Sequence, residues 1–145
     1  MTKAVKALVA VLAVGILAVG AANATIIVEW APHDSVIPNV GSSISVDLIA
    51  DIPEDDQILG WGLDVLVSNS SIVSMSNVAI GPLFDPFPAP DLDGLAGAVF
   101  PPTAGVWGTD VLLATIEFTG LREGWTYLFS GATPADLTEG FAKFL

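Results

Sequence analysis

Beyond residue 24, apolar side chains recur at every second position in short runs, and this period constrains the fold more than any other feature. Leu59, Trp61, Leu63, Val65 and Val67 alternate with Gly60, Gly62, Asp64, Leu66 and Ser68. Ile44, Val46, Leu48 and Ala50 alternate with Ser45, Asp47 and Ile49, and Ile26, Val28 and Trp30 with Ile27 and Glu29. Successive side chains of a strand point to opposite faces, so each run predicts a pleated segment with one face buried. Turn residues punctuate the runs: Ala31-Pro32, Asn39-Val40-Gly41, the acidic loop PEDDQ at 53–57, and Asn69-Ser70-Ser71. Residues 72–80 fit another strand. Residues 81–97, with four prolines and three aspartates, read as a long irregular connection.

Gly105-Val106-Trp107-Gly108 leads into LLATIEFTGLREGWTYL at 112–128, which reads as a hairpin wall. Leu112, Ala114, Ile116 and Phe118 are expected on the core side, with Leu113, Thr115, Glu117 and Thr119 outside. After the Gly-bounded turn, Trp125, Tyr127 and Phe129 are expected inside, and Thr126, Leu128 and Ser130 outside. Leu113 and Leu128 would then be outward leucines suited to a partner. The sole helix signal is at 135–144, where Thr133 or Asp136 could cap a short turn. Short strands between turn signals predict an all-β sandwich or barrel.

The first 24 residues have the form of a secretory leader. Lys3 and Lys6 precede an uncharged apolar run at 7–19, and Ala22-Asn23-Ala24 supplies small residues at the positions a signal peptidase reads. Cleavage before Thr25 would leave residues 25–145 as one exported domain, without a further apolar run long enough to span a bilayer. That portion holds Arg122 and Lys143 as its Lys and Arg against all 16 acids, a net of −14. Such a charge disfavours nucleic acid and anionic lipid as partners. Cysteine is absent, so core packing rather than disulfides must stabilise the domain.

Three segments, VIPNVGSSISVDLIAD at 36–51, LGWGLDVLVSNSSIVSMSNVAIG at 59–81 and VLLATIEFTGLREGWTYLFS at 111–130, carry a resemblance. Their order is similar to that of the cohesin-like domain of secreted bacterial proteins, in which a Val-x-x-Gly turn opens a strand and a Leu-Ala-Thr-Ile-x-Phe strand closes on a Gly turn. The resemblance covers most of residues 26–130. It implies a jelly-roll β-sandwich of about nine strands, an architecture shared with carbohydrate-binding modules. It also implies a non-catalytic binding or scaffold module, of a kind often found ahead of a PEP-CTERM sorting tail. The chain departs from that pattern. It ends at Phe141-Ala142-Lys143-Phe144-Leu145 without a Pro-Glu-Pro motif: either the sorting tail does not belong to it, or the domain is cut short at what resembles the start of one more strand.

Candidates for chemistry are few. His33, the single histidine, sits in PHDS, and adjacent residues cannot fold onto one another as a catalytic triad. No G-x-S-x-G elbow surrounds a serine. Asp55-Asp56 read as turn residues, and Asp64 and Glu117 as acids on exposed strand faces, so paired carboxylates for glycoside hydrolysis are not indicated. Asp85, Asp91 and Asp93, in FDPFPAPDLDG, offer hard oxygen ligands for calcium, but the glutamate that closes an EF-hand loop is missing. Trp61 and Trp125 read as core. Trp107, between Val106 and Gly108, is the tryptophan best placed for exposure and for stacking on a sugar. Asn69-Ser70-Ser71 matches a glycosylation acceptor and reads first as a turn. These features point to an exported protein that is not an enzyme. It is expected at the cell surface or in the extracellular matrix, where it would contact another protein or, alternatively, a polysaccharide.

Overall fold

The computed structural model describes residues 7–10, 15–16, 25–87, 94–133 and 139–145. It is all-β, a sandwich of two sheets. In chain order the strands are β1 (Ala7–Ala10), β2 (Gly15–Ile16), β3 (Ile27–Pro32), β4 (Val36–Ile37), β5 (Ser43–Ile52) and β6 (Ile58–Val67). They continue as β7 (Val73–Ile80), β8 (Asp85–Phe87), β9 (Gly94–Ala98), β10 (Gly108–Gly120), β11 (Trp125–Gly131) and β12 (Gly140–Lys143). A 3-10 turn, Glu54–Asp56, occupies the acidic loop.

One sheet has five strands in the order β2-β3-β5-β10-β7, all antiparallel. The other has seven, in the order β4-β1-β11-β6-β9-β8, with β12 also on β6. Its pairs are antiparallel except for β1, which runs parallel to β11. β11 covers Asp64 to Val67 of β6, and β12 covers the earlier part of the same strand, from Ile58 to Gly62. The two act as one interrupted strand along that edge of β6.

The core lies between the sheets, as the alternation requires. Ile26, Val28 and Trp30 are buried with Ile44, Val46, Leu48, Ala50, Ile116 and Phe118 from the five-stranded sheet, against Ile58, Trp61, Leu63 and Leu128 from the other. Trp30 meets Phe118 edge-on with centroids 6.5 Å apart, and Trp61 meets Phe84 at 6.2 Å. Such T-shaped pairs suit the aromatic quadrupole. Gly97 is required by this packing. A Cβ there would come within 2.9 Å of both Phe84 Cβ and Trp61 Nε1.

Four expectations are corrected. First, β10 and β11 do not form a hairpin, because each belongs to a different sheet and residues 121–124 carry the chain across. Gly124 permits the crossing: its φ is +154°, and a Cβ would lie 2.5 Å from Ile72 Cδ1. Second, since β11 faces the core from the opposite sheet, Thr126 and Leu128 are buried while Trp125, Tyr127 and Phe129 are exposed. Third, Leu113 is buried and Leu112 only partly so, because a register shift between Leu112 and Ala114 places Leu113 and Ala114 both inside. Fourth, residues 140–143 of the expected helix form β12, edge-paired to β6, so sheet pairing overrides the local helix signal; residues 134–138 lie outside the described residues. The connection at 81–97 likewise contains β8 and β9 rather than being wholly irregular. Among the described residues, no helix is long and apolar enough to cross a membrane.

Candidate functional site

The outer face of the seven-stranded sheet carries a row of exposed apolar side chains. Trp125, Tyr127 and Phe129 stand at alternate positions of β11, with 59%, 47% and 40% of their surface accessible. Leu66 of β6, 49% exposed, is the cross-strand partner of Phe129 and extends the row sideways. Neighbours two apart on a strand are about 7 Å apart, so the three rings form a continuous stripe. The opposite face of the same strand is anchored. Thr126 Oγ1 accepts the Asn69 N–H at 3.1 Å and lies 3.2 Å from Ser68 Oγ. Ser68 Oγ in turn accepts the Tyr127 N–H at 2.9 Å. The row is thus displayed on a pinned backbone.

On the same face, Gly60, Gly62, Ala96 and Ala98 help to line a trough of about 220 Å³, with Phe87 and Glu139 at its sides. Asp64, expected on an exposed face, is instead buried on β6, where Thr133 Oγ1 donates to its Oδ2 at 3.2 Å. Its strand position is polar in sequence, but β9 and β11 flank it on both sides.

Trp107 is exposed, with 52% of its surface accessible. It lines a groove of about 530 Å³ together with Ile27, Asp51, Ile52, Pro53 and Glu54. The backbone beside it is held in an uncommon conformation. Asp110 has φ 52°, and its N–H donates to Asp51 Oδ1 at 2.8 Å. Trp61 is core, as expected.

His33 Nε2 lies 2.7 Å from Asp47 Oδ2, and Thr115 Oγ1 donates to Asp47 Oδ1 at 2.6 Å. The hydroxyl therefore rests on the carboxylate and not on the imidazole, whereas a nucleophilic relay needs the hydroxyl on the base. Of the calcium candidates, Asp85 is exposed on β8, and Asp91 and Asp93 lie outside the described residues. Among the described residues, no group of three or more His, Asp or Glu side chains is placed to hold a metal. Asn69 Oδ1 accepts from the Ser71 N–H and Oγ–H at 3.1 and 2.6 Å, so NSS is built as an Asx turn. Asp56 pairs with Lys143, and Glu117 Oε1 accepts from Ser76 Oγ at 3.1 Å.

The exposed stripe was absent from the expectations although each of its residues was named. Its alternation was visible, but which parity faces inward depends on the sheet that β11 joins. Set beside known proteins, the chain matches no family model, and no curated protein sequence is significantly similar to it.

Proposed function

We propose that this chain is an exported, non-catalytic module that binds another protein at the cell surface or in the extracellular matrix. The observation that carries the reading is the row Trp125, Tyr127, Phe129 and Leu66 on a rigid sheet face. Tryptophan and tyrosine supply much contact area at little entropic cost and are enriched where interfaces concentrate their energy. A continuous exposed apolar row on a chain of net acidic charge is the signature of a surface made to be covered. The finer architecture we propose is a jelly-roll of the cohesin-like kind, with residues 1–24 removed as a leader; β1 and β2 leave with it, which opens the β11 edge next to the aromatic row. The sandwich, the aromatic-rich outer face and the His33–Asp47–Thr115 arrangement all suit a binding role better than a reaction centre.

A carbohydrate-binding module is the second reading, favoured by the exposed ring of Trp107 beside a groove with polar rims at Asp51 and Glu54. One experiment separates the two. Purified protein is bound to isolated cell-surface material and, in parallel, to a glycan array. The protein reading expects a Trp125→Ala/Tyr127→Ala/Phe129→Ala variant to lose surface binding while Trp107→Ala retains it. Glycan binding abolished by Trp107→Ala would replace it with the carbohydrate reading. Unchanged surface binding in the triple variant would remove the proposal.

A further inference from the structure

We propose that the space between β4 and β11 accepts a β-strand from the protein partner once residues 1–24 have left, the incoming segment being extended, aliphatic and parallel to β11. The proposal rests on the reading of those residues as a leader and of the aromatic row as a contact surface. In the uncleaved chain the slot is already filled. β1 lies parallel to β11, with Leu8 opposite Trp125, Val9 opposite Thr126 and Ala10 opposite Tyr127. Its other edge runs antiparallel to β4, with Ala7 opposite Ile37 and Leu8 opposite Val36. β1 falls wholly within the leader, so cleavage before Thr25 takes it away.

The backbone of β11 shows what is then exposed. Tyr127 turns toward β6: its N–H donates to Ser68 Oγ at 2.9 Å, and its C=O accepts the Ser68 N–H at 2.9 Å. Successive residues of a strand turn their polar groups to opposite edges, so those of Thr126 and Leu128 face β1. Both residues are fully buried with β1 in place, and buried backbone groups require partners. β4 is not free to supply them. Ile37 is packed on Gly120, where a Cβ would come within 2.9 Å of Ile37 Cγ2. The chain just beyond is bonded to the same glycine: Gly41 N–H donates to Gly120 O at 2.8 Å, and Gly120 N–H to Ser42 O at 3.0 Å. Before it, Val36 N–H donates to Asp34 Oδ1 at 3.1 Å. β4 therefore stays two strand spacings, about 10 Å, from β11.

The lining selects the occupant. None of residues 36–37 and 125–128 is charged, and the segment that fits in the uncleaved chain reads Ala-Leu-Val-Ala. A partner strand of small and branched aliphatic residues meets the same backbone groups; in such strand addition main-chain hydrogen bonds supply affinity and alternate side chains supply specificity. Lying about 5 Å from β11, its outward side chains would cover Trp125 and Tyr127 from the side. The leader is thus a stand-in for the partner. It keeps a pairing-prone edge covered until export, and cleavage uncovers that edge beside the aromatic row.

The test uses the full chain with a protease site placed between Ala24 and Thr25, folded first and cut afterwards, the freed leader being removed by gel filtration. The probe is a fluorescein-labelled peptide of residues 3–11, KAVKALVAV, read by anisotropy, with amide exchange followed in parallel. The cut chain should bind the peptide saturably. The uncut chain should bind it at least about tenfold more weakly, because its own leader competes at roughly millimolar effective concentration. Cutting should speed exchange at Thr126 and Leu128 at least about tenfold, and the peptide should restore their protection, while Leu48 and Ile116 in the other sheet stay slow throughout. A Val9→Pro/Ala10→Pro peptide keeps the charge but loses an N–H on each edge, and should bind about tenfold or more weakly. Equal binding by that peptide, which would mark attraction of its lysines to an acidic chain, overturns the proposal. So does the absence of saturable binding at about 1 mM peptide, or unchanged exchange on cutting. Loss of protection at Leu48 and Ile116 on cutting, which would make β1 part of the fold rather than a stand-in, overturns it as well. The aromatic row is decided separately, by its triple variant in the surface-binding experiment.

Discussion

The outer faces of the two sheets are built on the same alternation and do opposite things. On the five-stranded sheet, cross-strand pairs Thr115–Asp47, Glu117–Ser45 and Thr119–Ser43 place polar groups opposite one another. They satisfy each other: Ser43 Oγ is 2.8 Å from Thr119 Oγ1, which donates to Ser76 Oγ at 2.9 Å, and Asp47 receives Thr115. On the seven-stranded sheet, the corresponding surface presents Trp125, Tyr127, Phe129 and Leu66 to solvent. A face whose groups are already paired gains little from a partner. A face of exposed rings gains about 25 cal/mol for each Å² it covers. The difference is why we propose the binding face on that side of the sandwich.

Four substitutions break or sharpen the contrast. Leu128→Ala, on the buried parity of β11, should destabilise by about 2–5 kcal/mol in urea unfolding. A change below about 0.5 kcal/mol would mean that the parity is wrong. Thr126→Val, which strips the acceptor from the Asn69 N–H, should cost about 1–3 kcal/mol by the same measurement. Asp47→Ala, on the self-satisfied polar face, should cost about 1 kcal/mol and leave surface binding unaltered. Trp125→Ala should shift stability by no more than about 0.5 kcal/mol while removing much of the intrinsic fluorescence that acrylamide quenches. Large destabilisation by Trp125→Ala would place that ring in the core after all.

Much of this was legible in the residues. The faces of β3, β5 and β6 followed from alternation alone, and Trp61 fell where its neighbours implied. β11 did not. Counting apolar side chains puts Trp125, Tyr127 and Phe129 inside, since they outweigh Thr126, Leu128 and Ser130. The chain instead crosses to the opposite sheet through Gly124, and the parity inverts. Leu113 was missed for a smaller reason, a one-residue irregularity that no periodic reading anticipates. β12 was legible only in part: the ending at 141–145 reads as the start of a strand, a helix signal at 135–144 overlaps it, and the edge of β6 decides between them. Asp64 reads as a surface acid until β9 and β11 close over its flanks. In each case the deciding contact is remote in sequence, and local pattern carries no trace of it.

The position of β10 has a consequence for how the molecule comes into being. It lies between β5 on one side and the edge strand β7 on the other, yet the ribosome makes it after both. Until Gly120 has emerged, β7 has nothing to lie against, and the growing polypeptide holds β5 and β7 without the strand that joins them. Assembly must therefore wait for late-arriving, distant pairings, which are slow to find. A chain whose layer stays open until β10 has been made is one that can still be threaded through a narrow channel.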